Sequence, residues 1–79
     1  MTPDVVKVKV MPEYCIEAEF STGEVRRFDM RPYLHYPACA ALTEPGIFGA
    51  ARVQNGVVVW NDEIDLSPDT LYLRGQVCN

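Results

Sequence analysis

The segment 57–72 constrains the fold of this chain more than any other, because it combines three local signals in a short stretch. Residues 57–59 are consecutive valines and Trp60 follows them, which is typical of a buried strand. An acidic run comes next and indicates a polar turn. Ser67, Pro68 and Asp69 then supply an N-cap, a proline at the first helical position and an acid in the first turn. The order predicted here is strand, turn, short helix, with Gly75 ending the helix.

The first third of the chain predicts three strands. Residues 5–10 alternate valines with Lys7 and Lys9, and residues 14–20 show the clearest apolar-polar alternation in the chain. A glycine-containing turn at 21–24 leads into an extended pattern over 25–30, so the second and third strands should form an antiparallel hairpin. On that hairpin, we expect a glutamate to face an arginine across the strands. The candidate residues are Glu17, Glu19, Arg26 and Arg27.

The middle of the chain predicts short helical pieces and a second hairpin. Pro32 and Pro37 can each begin a helical turn, and the cluster 43–46 must end the second one. Residues 48–54 have the composition of a strand. Asn55-Gly56 is a strong hairpin signal, and 57–60 form the returning strand.

These elements predict a single α+β domain over residues 1–79. We expect a small, mainly antiparallel sheet of about four or five strands in two hairpins, with short helices packed on one face. Isolated helices this short are marginal in water, so they need the sheet for stability. The predicted core contains four large aromatic side chains, namely Phe20, Phe28, Phe48 and Trp60.

The charge of the chain argues against a direct nucleic-acid ligand. Seven basic and eleven acidic side chains give a net charge of −4, which is opposite to the sign needed to neutralise phosphates. The basic residues concentrate in the first half and the acids in the second, which allows two faces of opposite sign. No apolar run is long enough to span a bilayer, so we expect no membrane association. Three cysteines without a C-x-x-C pair favour a reduced, cytoplasmic protein with Cys15 and Cys39 as packing residues and Cys78 in a frayed tail.

The residues that usually carry catalysis lack partners in this sequence. His35 is the single histidine, so neither an acid-base pair nor an imidazole metal site is expected. Ser67 is better explained as a helix cap than as a nucleophile. The acids 62–69 do not have the spacing of a calcium loop. We therefore predict no enzymatic activity, no metal and no cofactor.

Aromatic residues beside the histidine form the predicted binding site. Tyr33, His35 and Tyr36 are the side chains that we expect to contact a partner protein of unknown identity. The second candidate surface is an unpaired sheet edge at the first strand, protected by Lys7 and Lys9 or used for homodimerisation. The alternative function is a regulatory domain that binds a small ligand at the same aromatic cluster.

Several motifs together resemble the bacterial domain-of-unknown-function family 2442, and the resemblance covers nearly the whole chain. The motifs are Val5-x-x-Val8, the strand 14–20, Thr22-Gly23-Glu24, Phe28-Asp29-Met30, Val59-Trp60, Ile64-Asp65-Leu66 and Pro68-Asp69-x-Leu71-Tyr72. Family members commonly have proline after the tryptophan, where this chain has Asn61. The resemblance implies a small bacterial α+β protein without established activity. Stand-alone members often neighbour a small protein of suspected toxin type, which implies an antitoxin-like partner role, and we expect no DNA-binding domain after Tyr72.

Overall fold

The computed structural model describes residues 2–44, 46–61 and 63–78, which form two antiparallel sheets, one α-helix and three 3-10 helices. The strands and the helix are β1 Val5–Met11, β2 Cys15–Phe20, β3 Val25–Asp29, β4 Arg52–Gln54, β5 Val57–Val59, β6 Asp65–Leu66, α1 Pro68–Arg74 and β7 Gln76–Cys78. The 3-10 helices are Arg31–Tyr33, Pro37–Thr43 and Phe48–Ala50. The α+β class and the mainly antiparallel pairing are confirmed. The strands form two sheets where one was expected.

The first sheet has the order β1-β2-β3-β7, and its inner face is set by the alternation in β2. Ile16, Ala18 and Phe20 are fully buried, as the period-two pattern predicts. In β1 the pairing register shifts between Val5 and Lys7. This irregularity lets Val5 pair with Phe20 on the inner face, while Val6 stays 52% exposed.

The second sheet has the order β4-β5-β6, and the predicted Asn55-Gly56 turn joins its first two strands. Both turn residues have positive φ, 53° for Asn55 and 80° for Gly56, as a two-residue hairpin with a type I′ turn requires. The expected strand 48–54 is wrong over its first half, where a 3-10 helix precedes the short β4. The reason is tertiary, because the carbonyl of Phe48 turns to accept the indole N–H of Trp60 at 3.1 Å.

Two strands, β6 and β7, were not expected. The Asn61 side chain accepts hydrogen bonds from the backbone N–H groups of Glu63 and Ile64 at 2.8 and 2.9 Å, and this turn brings β6 back to β5. Asp62, part of the predicted polar turn, lies outside the described residues. The expected frayed tail is instead β7, which pairs antiparallel with β3.

The two sheets meet through backbone and aromatic contacts. The N–H of Val5 donates to the carbonyl of Gly56 at 3.1 Å, which links β1 to the second hairpin. The ring of Phe48 stacks on Trp60 with centroids 5.9 Å apart and meets Tyr14 edge-on at 5.2 Å. All four aromatic residues predicted for the core are buried.

Helix α1 begins as its sequence predicts. The Ser67 side chain accepts the backbone N–H of Asp69 at 3.1 Å, and Pro68 is the first helical residue. Leu71 is fully buried, and Tyr72 meets Phe20 edge-on at 5.3 Å. The helix therefore covers the inner face of the first sheet near β3.

Replacing Gly56 by alanine should destabilise the protein by about 1–2 kcal/mol. A Cβ at this position would lie 2.9 Å from Cγ of Asp4, and the φ of +80° disfavours any L side chain. The matched control is G49A, because a Cβ at Gly49 meets no atom within 4 Å. Urea denaturation measures both free energies of unfolding. Equal losses in the two variants would contradict the assigned turn.

Replacing Trp60 by phenylalanine should lower the free energy of unfolding by about 1–3 kcal/mol, because the carbonyl of Phe48 loses its buried donor. Trp60 is 2% exposed, so little water can take the place of the indole N–H. Far-UV circular dichroism is the suitable probe, since the chain has one tryptophan and the variant has none. A denaturation midpoint equal to that of the parent chain would refute a stabilising role for this hydrogen bond.

Candidate functional site

Four aromatic side chains form a continuous series from the core to the solvent, here called the aromatic ladder: Phe28, Tyr33, Tyr36 and His35. Phe28 is buried and stacks on Tyr33 with centroids 5.5 Å apart. Tyr33 lies 6.1 Å from Tyr36, whose ring is 4.4 Å from that of His35. The structure thus brings together the three residues predicted as a partner-binding site. Their role in binding stays a prediction.

The local backbone explains why the ladder points outward. The N–H of Tyr33 donates to the carbonyl of the buried Met30 at 2.9 Å, so the 3-10 helix Arg31–Tyr33 starts from the core. Pro37 disfavours a helical conformation at the preceding residue, and Tyr36 is extended with φ −74° and ψ 139°. The extended Tyr36 therefore separates the first 3-10 helix from the second, which begins at Pro37, and this residue is 50% exposed.

A cleft of about 450 Å³ lies beside the ladder, between the outer face of β3, the 3-10 helix Arg31–Tyr33 and the end of α1. We call it the arginine cleft, because its charged lining residues are Arg27, Arg31, Arg74 and Asp29. Phe28 and Tyr33 contribute to its wall, so the cleft and the ladder share two residues. The lining thus holds three guanidinium groups and one carboxylate, and the carboxylates of Glu17 and Glu13 lie 3.4 Å from Arg27 and 4.0 Å from Arg31.

Arg31 and Asp29, which both line the cleft, form a bidentate ion pair. Nη2 of Arg31 lies 2.9 Å from Oδ2 of Asp29, and Nε lies 3.1 Å from Oδ1. The backbone N–H of Arg31 also donates to Oδ1 at 2.9 Å. The side-chain hydrogen bonds from Arg31, followed by this backbone hydrogen bond, hold the pKa of Asp29 below its ordinary value.

Two neighbouring arginines of β3 point to opposite faces of the sheet. Arg27 faces outward, pairs with Glu17 across the strands and lies 3.4 Å from its carboxylate, as expected from the hairpin. Arg26 faces inward, with its guanidinium 4.1 Å from the centroid of the Tyr72 ring. It also donates to the Tyr72 carbonyl and to the carboxylate of Glu24, so this arginine fastens α1 to the sheet.

The outer face of the first sheet carries both signs of charge. Lys7 pairs with Glu19 and Lys9 with Glu17 across β1 and β2. The two faces of opposite sign that the sequence allows are not found on this sheet, because the hairpin register places acids beside bases. The prediction that β1 lies at a sheet edge is correct, and its lysines are exposed there.

The described residues contain no group of three or more histidine, cysteine, aspartate or glutamate side chains able to hold a metal ion. Cys39 packs against the core, and Cys15 lines the arginine cleft. Among the same residues, no helix has the length and apolar character needed to cross a bilayer.

No local pattern in the chain predicts the arginine cleft. Arg27 and Arg31 are close in sequence, and a strand followed by a turn could place them on one surface. Arg74 joins them because α1 turns at Gly75 into β7, which pairs with β3 through Arg27 and Gln76. That pairing has no strong local signal in the chain.

Replacing Asp29 by asparagine should reduce stability at neutral pH and have a diminishing effect in acid. A carboxylate with a lowered pKa contributes stability above its unfolded value, 3.8, and this contribution is lost as the pH falls through the folded pKa. The difference between the parent chain and D29N should therefore shrink below pH 3.8. Urea denaturation across the pH range measures it, with E63Q as an exposed carboxylate control. A difference that stays constant down to the most acidic folded condition would contradict the ion pair.

The comparisons with known proteins identify one family. The model of a family described as protein of unknown function (DUF2442) matches residues 5–76, which is nearly the whole chain, so the chain belongs to this family. No curated protein and no solved structure shows a significant match.

Proposed function

We propose that this member of the DUF2442 family is a protein-interaction module that binds a second small protein through the exposed end of the aromatic ladder. The observation that carries the proposal is the series of ring contacts from the buried Phe28 to Tyr36, which is half exposed. A tyrosine at an interface offers a large apolar face and a polar hydroxyl, and such residues are enriched among binding hot spots.

The ring contacts support binding because they limit the motion of the exposed side chains. The ring of Tyr36 lies 6.1 Å from that of Tyr33 and 4.4 Å from that of His35. Its side chain is therefore partly ordered before a partner arrives, which lowers the entropy lost on association. An isolated exposed tyrosine on a loop would lose more rotational freedom.

The proposed setting is the bacterial cytoplasm, with the partner as the other half of a toxin-antitoxin-like pair. The acidic net charge supports a protein partner over a nucleic acid. Self-association is the competing assembly. It is favoured by β7, which is the terminal strand of the first sheet and carries Val77 at 54% exposure.

Regulatory binding of a small ligand is the second candidate function. The arginine cleft favours it, because its volume of about 450 Å³ suits a small molecule and its lining combines guanidinium groups with an aromatic wall. The cleft shares Tyr33 with the ladder, so one region of the surface serves both candidates.

Replacing Tyr36 by alanine should weaken partner binding by about 2 kcal/mol or more, because a hot-spot ring is lost. Stability should change little, since the side chain is 50% exposed. The matched control is L73A, which removes an apolar side chain that is 77% exposed on α1. Tagged chains are purified from their own cells, and the bound proteins are identified by mass spectrometry.

The expected result is one small protein in stoichiometric amount with the parent chain and with L73A, and its loss with Y36A. Y36F should retain the partner, because the ring remains. Recovery of the chain alone, or equal recovery of the partner with Y36A, would refute the ladder as the docking site. Size-exclusion chromatography with light scattering shows whether a chain recovered alone is a monomer or has self-associated.

A further inference from the structure

We propose that the arginine cleft binds a phosphate monoester of a small organic molecule. The inference rests on the second candidate function and names its ligand class. Its test is separate from that of the protein partner, because Tyr36 and His35 do not line the cleft. Three different elements supply the guanidinium groups: Arg27 from β3, Arg31 from the 3-10 helix that follows it and Arg74 from the end of α1.

The cleft has hydrogen-bond donors that its own carboxylates do not use. In the part of the chain that the structure describes, Arg74 has no ion pair or hydrogen bond to its guanidinium. Arg27 makes one long contact, at 3.4 Å from Glu17, which leaves most of its donors available. Arg31 is held by Asp29 through Nε and Nη2, while its Nη1 lies 4.0 Å from Glu13.

The number of donors in the lining favours the acid group. Carboxylates lie beside Arg27 and Arg31, whereas Arg74 has none in the described part of the chain. A phosphate monoester offers three acceptor oxygens, one for each guanidinium group of the lining. A single carboxylate has only two oxygens. Guanidinium groups also bind phosphate oxygens in pairs, with a geometry that lysines cannot reproduce.

The size and the wall of the cleft indicate an organic group attached to the phosphate. A volume of about 450 Å³ falls within the range of small-molecule sites and exceeds what a free phosphate ion fills. The lining also contains Pro32 and the half-buried Tyr33, which stacks on Phe28. This surface suits the apolar part of a monoester.

The test is a titration of the full chain with phenyl phosphate, followed by NMR of the backbone amides and of the arginine Nε–Hε groups at constant ionic strength. Benzoate and inorganic phosphate are the comparison probes. We expect saturable shifts at Arg27, Arg31 and Arg74, with phenyl phosphate the tightest of the three ligands. R74Q should weaken its binding at least about tenfold, as expected for loss of a charge-assisted contact.

R52Q is the matched control, because Arg52 is an exposed arginine on β4 that does not line the cleft. It removes the same charge, and the dissociation constant should stay within about twofold, since distant exposed charges are screened. Equal weakening by R74Q and R52Q would overturn the site in favour of a general charge effect. The absence of saturable shifts would overturn it as well, and benzoate binding as tightly as phenyl phosphate would overturn the phosphate assignment.

Y36A separates this inference from the partner proposal. Y36A should abolish partner binding and leave phenyl phosphate binding unchanged. R74Q should weaken phenyl phosphate binding and leave partner binding unchanged. Loss of phenyl phosphate binding in Y36A would overturn the independence of the two surfaces.

Discussion

The hydrogen bond from the Trp60 indole to the carbonyl of Phe48 is the contact on which the junction of the two sheets depends. It fixes the turn at Phe48–Ala50 and places the Phe48 ring against both Trp60 and Tyr14, so the second hairpin is packed on the end of the first sheet. A chain of 79 residues buries a smaller fraction of its surface than a larger domain does. Each contact between its sheets therefore carries a large share of the stability.

Local patterns predicted the elements whose causes are local. The alternation in β2, the Asn55-Gly56 turn and the Ser67 cap each depend on neighbouring residues, and each is found as expected. The errors have distant causes. The prediction of a strand over 48–54 was wrong over its first half, because the Phe48 carbonyl accepts a hydrogen bond from Trp60, twelve positions away. The strand β7 exists because it pairs with β3, and three residues without an alternating pattern give no sign of it.

The same distinction applies to the two candidate surfaces. Tyr33, His35 and Tyr36 are neighbours in the sequence, so their clustering could be predicted from composition alone. The arginine cleft needs Arg74, which reaches Arg27 only through the return of the chain after α1. Residue type alone also did not show which arginine holds the fold together and which lines the cleft. Arg26 is 16% exposed and engaged by Glu24 and Tyr72, whereas Arg27 is 49% exposed, and the alternation of β3 decides which is structural.

Tyr33 connects both candidate surfaces to the core. Its ring stacks on the buried Phe28, contacts Tyr36 on the ladder and forms part of the wall of the arginine cleft. A substitution at Tyr33 would therefore alter core packing, the ladder and the cleft together, and its effect on any one of them could not be separated. Tyr36 and Arg74 lie at the outer limits of the two surfaces and away from the core. Substitutions at these two positions therefore test the candidate surfaces with little effect on folding, whereas Tyr33 already packs against the core.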